Sequence, residues 1–459
     1  MDPVKVSVVG LGYVGAALSV ALASRKSNVG ENIFSVTGID VPSQAGLKRI
    51  NDLNHRKFPF ESCDESLKHA LAHVPHEALI CFCDYDCVES SEVVFLCVDC
   101  DVSQVPNITA DFTNLRSACK GIGRFIGHDC LVVVESTVPP GTTENVVYHE
   151  LKCAFEKRGI TSTPLVGHSY ERVMPGPEYL NSIVGMPRVI GASDPSVAAR
   201  IKSVYSKLLE SSDEKITILN CSRDSEIAKV LENTFRAVNI ALIEEWTTWI
   251  ESIGGDLWSI LDAIRERPTH KNIMNPGFGV GGYCLTKDPF FGLIADSLFF
   301  ETGTDFPVAR KALEINYQMT ENRLNRVEQK LNIPLKNAKL LLCGVAYRDS
   351  VSDTRYSPSE AFAKKAITRG ASIDYFDPFV EYWDELGMSS LESLVDIEIY
   401  DAIIFCVAHK HFRSFDLTGL ATKSSPPLVF DFCGVLPRNT FDGCNDDSSS
   451  MRVTVVGVE

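Results

Sequence analysis

Apolar and polar positions change rhythm twice along the chain. Val4-Lys5-Val6-Ser7-Val8-Val9 is a β-branched run that predicts a strand, and Ala16 to Ala23 predicts the helix after it. Val36 to Asp40, Glu92 to Val98 and Leu131 to Glu135 are further apolar runs. They read as buried parallel strands, because strands covered on both faces lose the alternation of a half-solvated sheet. Pro164 to Gly176, bounded by Pro and Gly, reads as a loop. The rhythm then lengthens. Glu226 to Ile253 holds no Gly or Pro, shows helical periodicity and stops at Gly254-Gly255. Leu231, Phe235, Val238, Leu242, Trp246 and Trp249 make its apolar face, and Lys229 and Asn233 share another at i, i+4. A second helical run covers Val308 to Leu331. Ala338 to Gly344 restarts the strand-helix pattern, with later strands at Ser372–Pro378, Ala402–Val407, Leu428–Asp431 and Met451–Gly457. The Asp/Ser-rich stretch Asp442 to Ser450 reads as a mobile loop. The expected division is residues 1–215, 216–332 and 333–459: two α/β parts around a helical segment.

Composition narrows the class. A chain of 459 residues is too long for one core, and 45% hydrophobic with 23% charged residues is ordinary for a globular protein. The net charge of −16, with no long Lys/Arg run, argues against nucleic acid or an anionic membrane as the main partner. No apolar run reaches the ~18 residues needed to span a bilayer. The first strand begins almost at the N-terminus, so no signal peptide is expected, and a cytoplasmic location follows. Fifteen cysteines are scattered, and neither Cys81/Cys83/Cys87 nor Cys97/Cys100 has a second Cys/His pair at zinc spacing. Thiols in a reducing compartment, and no metal, are the expectation.

Five places along the chain carry chemistry. Gly10-Leu11-Gly12-Tyr13-Val14-Gly15 lies between a strand and a helix, the setting in which G-x-G-x-x-G makes a tight turn and admits a pyrophosphate. Asp40 ends the second strand, where a carboxylate accepts from ribose hydroxyls and repels a 2′-phosphate; no Arg follows it immediately, so NAD is favoured over NADP. Ser136 and Thr137 follow a strand end, where ligands of such sheets bind, and capping of the next helix is the plainer reading. The Glu171-Arg172 pair reads as a surface ion pair or as a pair facing the substrate. Most informative is Asn275 to Pro289, in which Gly277, Gly279, Gly281 and Gly282 lead to Cys284, with Lys287 and Asp288 just beyond. Glycines let backbone N–H groups approach a ligand, and a nearby ammonium favours the nucleophilic thiolate.

Taken together, these motifs resemble the UDP-glucose/GDP-mannose dehydrogenase family. The resemblance runs through Gly10–Gly15, Ser136–Thr142, Glu226–Asn239, Gly279–Asp288 and Gly344–Pro358, in order. It implies an α/β protein with an N-terminal Rossmann NAD-binding domain, a central long-helix dimerisation segment and a C-terminal Rossmann-like domain for the nucleotide of the sugar. It implies oxidation of a C6 hydroxyl to a carboxylate with two NAD, through a Cys284 thiohemiacetal and then a thioester. Lys229 and Asn233 resemble the pair that holds oxyanion charge. Asp288 and Thr137 resemble the groups that handle water, and Glu171 a residue of hydrolysis and sugar contact. Gly10, Gly12, Tyr13, Val14, Gly15, Asp40, Val98, Thr137 and Arg355 match cofactor positions. Glu171, Arg172, Lys229, Asn233, Gly281 and Arg348 match substrate positions.

The Ser169-Tyr170-Glu171-Arg172 to Gly176 form, with Gly279-Val280-Gly281-Gly282 before the cysteine, resembles the branch acting on UDP-N-acetylhexosamines. Lys287 is more typical of other branches, so UDP-glucose and GDP-mannose stay open as alternatives. A family arginine after the late Asp-containing strand has no match at Asp431 to Gly434. Two further readings compete: a two-electron hydroxyacid dehydrogenase, which needs no thiol, and a non-catalytic nucleotide-sugar sensor, which need not keep Cys284. The expected partners are a nucleotide-sugar substrate and a second copy of the chain.

Overall fold

The structure is a computed structural model; it describes residues 2–103, 108–209, 215–415, 420, 426–437 and 453–458. The stretch Asp442 to Ser450 and the first two residues of the expected last strand lie outside the described residues. The chain forms two compact units, residues 1–232 with 290–306, and residues 233–289 with 307–459.

The first unit is built on an eight-stranded sheet. In spatial order the strands are Ile216–Leu219, Arg188–Gly191, Leu165–Tyr170, Leu131–Val134, Val93–Leu96, Val4–Val9, Phe34–Ile39 and Leu79–Phe82. All neighbours run parallel except Leu165–Tyr170 against Arg188–Gly191. Val8, Val93, Phe95 and Val133 feed the core on one face; Val9, Val94, Leu96 and Val134 feed the other. Burial on both faces is the reason these strands read as unbroken apolar runs. Pro164 to Gly176, read as a loop, is corrected here: Leu165–Tyr170 is a strand in the middle of this sheet. Its Gly, His and Ser masked the pattern, and the sheet overrides the local propensity.

The second unit carries a five-stranded parallel sheet in the order Ser372–Phe376, Lys339–Cys343, Ala402–Phe405, Leu428–Asp431, Val453–Val455. Leu340, Leu342, Ile404 and Phe430 pack on one side, and Leu341, Ile403, Phe405 and Val429 on the other. Both sheets change direction beside their first strand. There the crevice beyond the carboxyl ends receives ligands in folds of this kind. In the first unit this point lies after Val9 and Leu96, and in the second after Cys343 and Phe405.

The long helix runs Ser222–Ser252, four residues earlier than its apolar pattern suggests, and the chain passes from one unit to the other within it. The second long helix is Pro307–Lys330.

Candidate active site

At the switch point of the first sheet, Gly10 takes φ 92°, and a Cβ there would stand 2.6 Å from Cys97 O and 3.4 Å from Val98 Cγ2. A Cβ on Gly15 would meet Gly10 O at 1.8 Å, which holds the Tyr13–Ser24 helix close to the turn. Gly12 is different: a Cβ there would meet nothing within 4 Å. The chain has no packing reason for that glycine, and the space beside it suits a pyrophosphate at the helix start. Tyr13 stacks on Phe60 with ring centroids 4.0 Å apart, and its carbonyl accepts from Tyr179 Oη at 2.7 Å. Val14 follows in the first helical turn.

Asp40 closes the crevice. Its carboxylate accepts from Leu11 N at 3.3 Å, Val41 N at 2.8 Å and Arg49 Nε at 2.7 Å. The absence of an arginine immediately after Asp40 therefore left Arg49 unseen. It reaches back from the Gln44–Asn54 helix, nine residues on. These donors fix the direction of the carboxylate where ribose hydroxyls would donate to it, so the site fits NAD.

Glu171 and Arg172 do not pair with each other. Lys229 Nζ donates to Glu171 O at 2.8 Å, stands 3.4 Å from Glu171 Oε1 and lies 5.5 Å from the centre of the Tyr170 ring. Arg172 turns instead to Glu232, with Nη2 2.8 Å from Oε2, and the bond raises the guanidinium pKa. Both acids and both bases are one to three residues from their neighbours in sequence, so spacing alone offered no choice of partner. Thr137 lies half-buried past the Leu131–Val134 strand. The capping reading fails for its neighbour: Ser136 Oγ donates to Leu96 O at 3.2 Å.

Beneath this surface lies a buried network that the sequence reading passed over. Arg188 Nη1 stands 3.3 Å from Glu135 Oε2, and Tyr205 Oη bonds the same carboxyl. Burial pushes Glu135 up to about 7, against the pull of Arg188. His168 sits between Ser225 Oγ at 2.9 Å and Ser136 O at 3.3 Å, and burial lowers it to about 3, so it stays neutral. Glu226, near the start of the long helix, accepts from Gly141 N at 2.5 Å, Thr143 N at 2.8 Å and Thr143 Oγ1 at 2.6 Å. It pins the Pro139–Thr143 turn from below. An acid ending an apolar strand, as Glu135 does, was the available signal.

In the second unit, Asp288 is fully buried and held from both sides. Asn233 Nδ2 donates to Oδ2 at 2.7 Å, and Lys287 Nζ stands 2.9 Å from Oδ1. Lys287 also lies 4.4 Å over the Tyr283 ring. Its charge is thus shared with Asp288. Lys287 N and Asp288 N donate to Cys284 O at 3.1 and 2.9 Å, so one tight turn carries the thiol and the carboxylate. The Cys284 side chain is exposed. Three of the glycines before it have neighbours in the chain itself: Gly282 N donates to Tyr356 O at 3.2 Å, and a Cβ would stand 2.5 Å from Pro358 Cδ on Gly281 and 2.8 Å from Pro358 Cβ on Gly279, whereas a Cβ on Gly277 would meet nothing within 4 Å. Arg348 lies 3.9 Å from Asp349, and Arg355 is bound twice by Asp353 at 2.9 Å. At the base of the loop, the buried pair Glu244–Arg323 directs Arg323 Nη2 to Gly277 O at 2.9 Å. Among the described residues no cluster has the makings of a metal site.

Comparison with known proteins agrees with this layout. Three domain descriptions of the UDP-glucose/GDP-mannose dehydrogenase family match: the NAD binding domain at residues 4–209, the central domain at 223–318 and the UDP binding domain at 341–438. A UDP-N-acetyl-D-mannosamine dehydrogenase of Methanococcus maripaludis is 29% identical over 450 residues, covering 95% of this chain and 94% of its own. A UDP-N-acetyl-D-glucosamine 6-dehydrogenase of Pseudomonas aeruginosa is 26% identical, covering 90% of this chain and 92% of its own. The solved structure of a UDP-D-ManNAc dehydrogenase from Pyrococcus horikoshii superposes with a TM-score of 0.80 at 26% identity, over 99% of each chain.

Proposed function

The chain belongs to the UDP-glucose/GDP-mannose dehydrogenase family and is an NAD-dependent nucleotide-sugar dehydrogenase, and we propose that its substrate is a UDP-N-acetylhexosamine, oxidised at C6 through covalent attachment to Cys284. The observation that carries the covalent route is the single turn joining Cys284 to Asp288, with Asp288 fixed between Asn233 and Lys287. The substrate class rests on Ser169–Gly176 and on relatives that act on N-acetylated sugars.

In this reading, Gly10, Gly12, Tyr13, Val14, Gly15, Val98 and Asp40 hold the cofactor, with Thr137 and Arg355 beside it. When bound, NAD supplies the hydride acceptor for each oxidation. The C6 alcohol loses a hydride and a proton to become an aldehyde. Cys284 thiolate adds to that carbon, and the alkoxide of the thiohemiacetal is stabilised by Lys229 and Asn233, one turn apart on one helix. Loss of a second hydride leaves a thioester. Water then attacks it, with Asp288 taking the water proton, and Thr137 and Glu171 orienting water and sugar. The thiolate departs and the carboxylate is released. Arg348, Arg172 and Gly281 contact the rest of the substrate.

The long helix serves a dimer. Leu231, Phe235, Leu242 and Trp249 are exposed along it, more apolar surface than a solvated helix keeps. No described helix is long and apolar enough to cross a membrane, and a cytoplasmic location fits cysteines that form no disulfide among the described residues.

The test pairs a substrate panel with one variant. Wild type should turn over UDP-GlcNAc or UDP-ManNAc and yield two NADH per sugar. Cys284→Ala should bind NAD and substrate yet form no uronic acid. Near wild-type acid formation by Cys284→Ala would end the covalent assignment. Turnover of UDP-glucose alone would end the substrate assignment. A monomeric mass by light scattering at micromolar concentration would end the dimer.

A further inference from the structure

The glycine-rich approach to Cys284 and the loop after the first strand of the second sheet are packed backbone to backbone. A Cβ on Gly281 would stand 2.8 Å from Tyr356 O and 2.5 Å from Pro358 Cδ. A Cβ on Gly282 would stand 2.8 Å from the Tyr347 ring, and one on Gly279 2.8 Å from Pro358 Cβ. The hydrogen bond across this seam runs from Gly282 N to Tyr356 O at 3.2 Å. Tyr356 makes it from φ 56°, the left-handed region, although it has a bulky side chain. Its side chain is half exposed and meets the Tyr283 ring with centroids 6.1 Å apart, so no core encloses the ring and imposes that backbone. Such a conformation persists only where the surroundings over-determine it, and it collects at functional sites.

Each side of the seam is stiff. Within the Cys284 loop, Thr286 Oγ1 donates to Gly282 O at 2.8 Å and Asp288 N to Cys284 O at 2.9 Å. A shift of Gly282 is therefore a shift of Cys284 and Asp288. On the other side, Tyr347 N donates to Asp353 O at 2.9 Å and Ser357 Oγ to Ala346 O at 3.3 Å. Val345 N donates to Asp377 Oδ2 at 2.7 Å, and Ser350 N to the buried His409 at 3.2 Å. That loop leaves the switch point of the second sheet, within the match to the UDP binding domain.

We propose that the left-handed Tyr356 backbone sets the register between the loop that takes the nucleoside diphosphate and the loop that carries Cys284, so that nucleotide binding orders the nucleophile. Tyr356 is a positioning residue that acts through Gly282. The inference rests on the reading of the second unit as the holder of UDP. Its consequence for catalysis is that binding energy from the nucleotide end is used at the reacting carbon, which is felt in kcat more than in KM.

The test uses full-length protein with UDP alone, which carries no sugar to cover the thiol. Calorimetry reads binding, and hydrogen–deuterium exchange reads the amides of residues 279–288. In wild type, UDP should slow their exchange about tenfold. Tyr356→Gly, which holds φ > 0 without strain, should keep that protection. Tyr356→Val, whose branched side chain resists φ > 0, should bind UDP within about threefold of wild type but lose the protection. Its kcat on the nucleotide sugar should fall about tenfold, with KM little changed. Failure of wild type to bind UDP would overturn the reading of the second unit, and this inference with it. Binding without protection of 279–288 would overturn the inference alone. So would loss of protection in Tyr356→Gly, which would place the effect in the ring, or loss of UDP affinity in Tyr356→Val beyond tenfold.

Discussion

Two glycine-rich segments, Gly10–Gly15 and Gly277–Gly282, look alike in composition and are glycine-rich for different reasons. In the first, Gly10 and Gly15 are required by the turn and by close helix packing, while Gly12 faces open space. In the second, Gly279, Gly281 and Gly282 each face atoms of the same unit, Pro358, Tyr356 and Tyr347. The second segment makes room mainly for a neighbouring loop, and of its glycines Gly277 alone resembles Gly12 in having nothing within 4 Å of a Cβ. A glycine thus says that space was needed at that point, and not what fills it.

The largest effect is expected at the base of the second segment. Arg323→Met leaves Glu244 buried without its cation and frees Gly277 O, and should cost about 3–5 kcal/mol in urea unfolding. A loss below about 1 kcal/mol would mean that the pair does not hold the segment.

In the first segment, Gly12 has φ −67°, which any residue adopts, and no neighbour for a Cβ. Gly12→Val should unfold within about 0.5 kcal/mol of wild type. It should also bind NAD about 100-fold more weakly, a loss of about 2.7 kcal/mol. Unchanged NAD affinity by fluorescence titration would remove the pyrophosphate from beside Gly12.

The carboxyl below that crevice gives a pH signature. Glu135 is raised by burial to about 7, from an ordinary value of 4.5. Between those values the folded state holds a proton that the unfolded state has lost, so this group's contribution to stability falls as pH rises through that window and levels off above about 7. Glu135→Gln lacks the titration. Its stability relative to wild type should therefore improve by about 2 kcal/mol between pH 5 and 7. A difference independent of pH would show that Glu135 is ionised throughout.

The smallest effect belongs to the crowded glycine. Gly281→Ala drives a Cβ against Pro358 and the Tyr356 carbonyl and should cost about 1–2 kcal/mol. NAD affinity should stay as in wild type. A neutral Gly281→Ala would show that the seam yields easily, and would erase the contrast with Gly12.

What could be read in the chain followed from chemistry that is local. The Gly10–Gly15 turn, its flanking strand and helix, and Asp40 at the next strand end all lie within one βαβ unit, and the structure keeps their order. The long helix was legible because nothing in 28 residues from Glu226 to Ile253 interrupts it. Leu165–Tyr170 was not, because a strand with Gly, His and Ser at its end is recruited by neighbours on both sides rather than by its own propensity. The site shows the same division. Cys284, Lys287 and Asp288 are adjacent in sequence, whereas Arg188 comes to Glu135, and Glu232 to Arg172, only through the fold.

The sequence by itself determined which groups the protein owns: a glycine turn between a strand and a helix, an acid at the next strand end, a thiol with a carboxylate one turn beyond it. These are covalent neighbours or lie within one supersecondary unit, so their relation survives without knowledge of the rest. Tertiary structure alone decided the pairings of charge. A lysine or arginine has several carboxylates within reach along the chain, and burial and direction choose among them. That is why Lys229 went to Glu171, Arg172 to Glu232 and Arg49 to Asp40. It also decided what Gly279 and Gly281 make room for, because those atoms lie more than 70 residues further along the chain, at Tyr356 and Pro358.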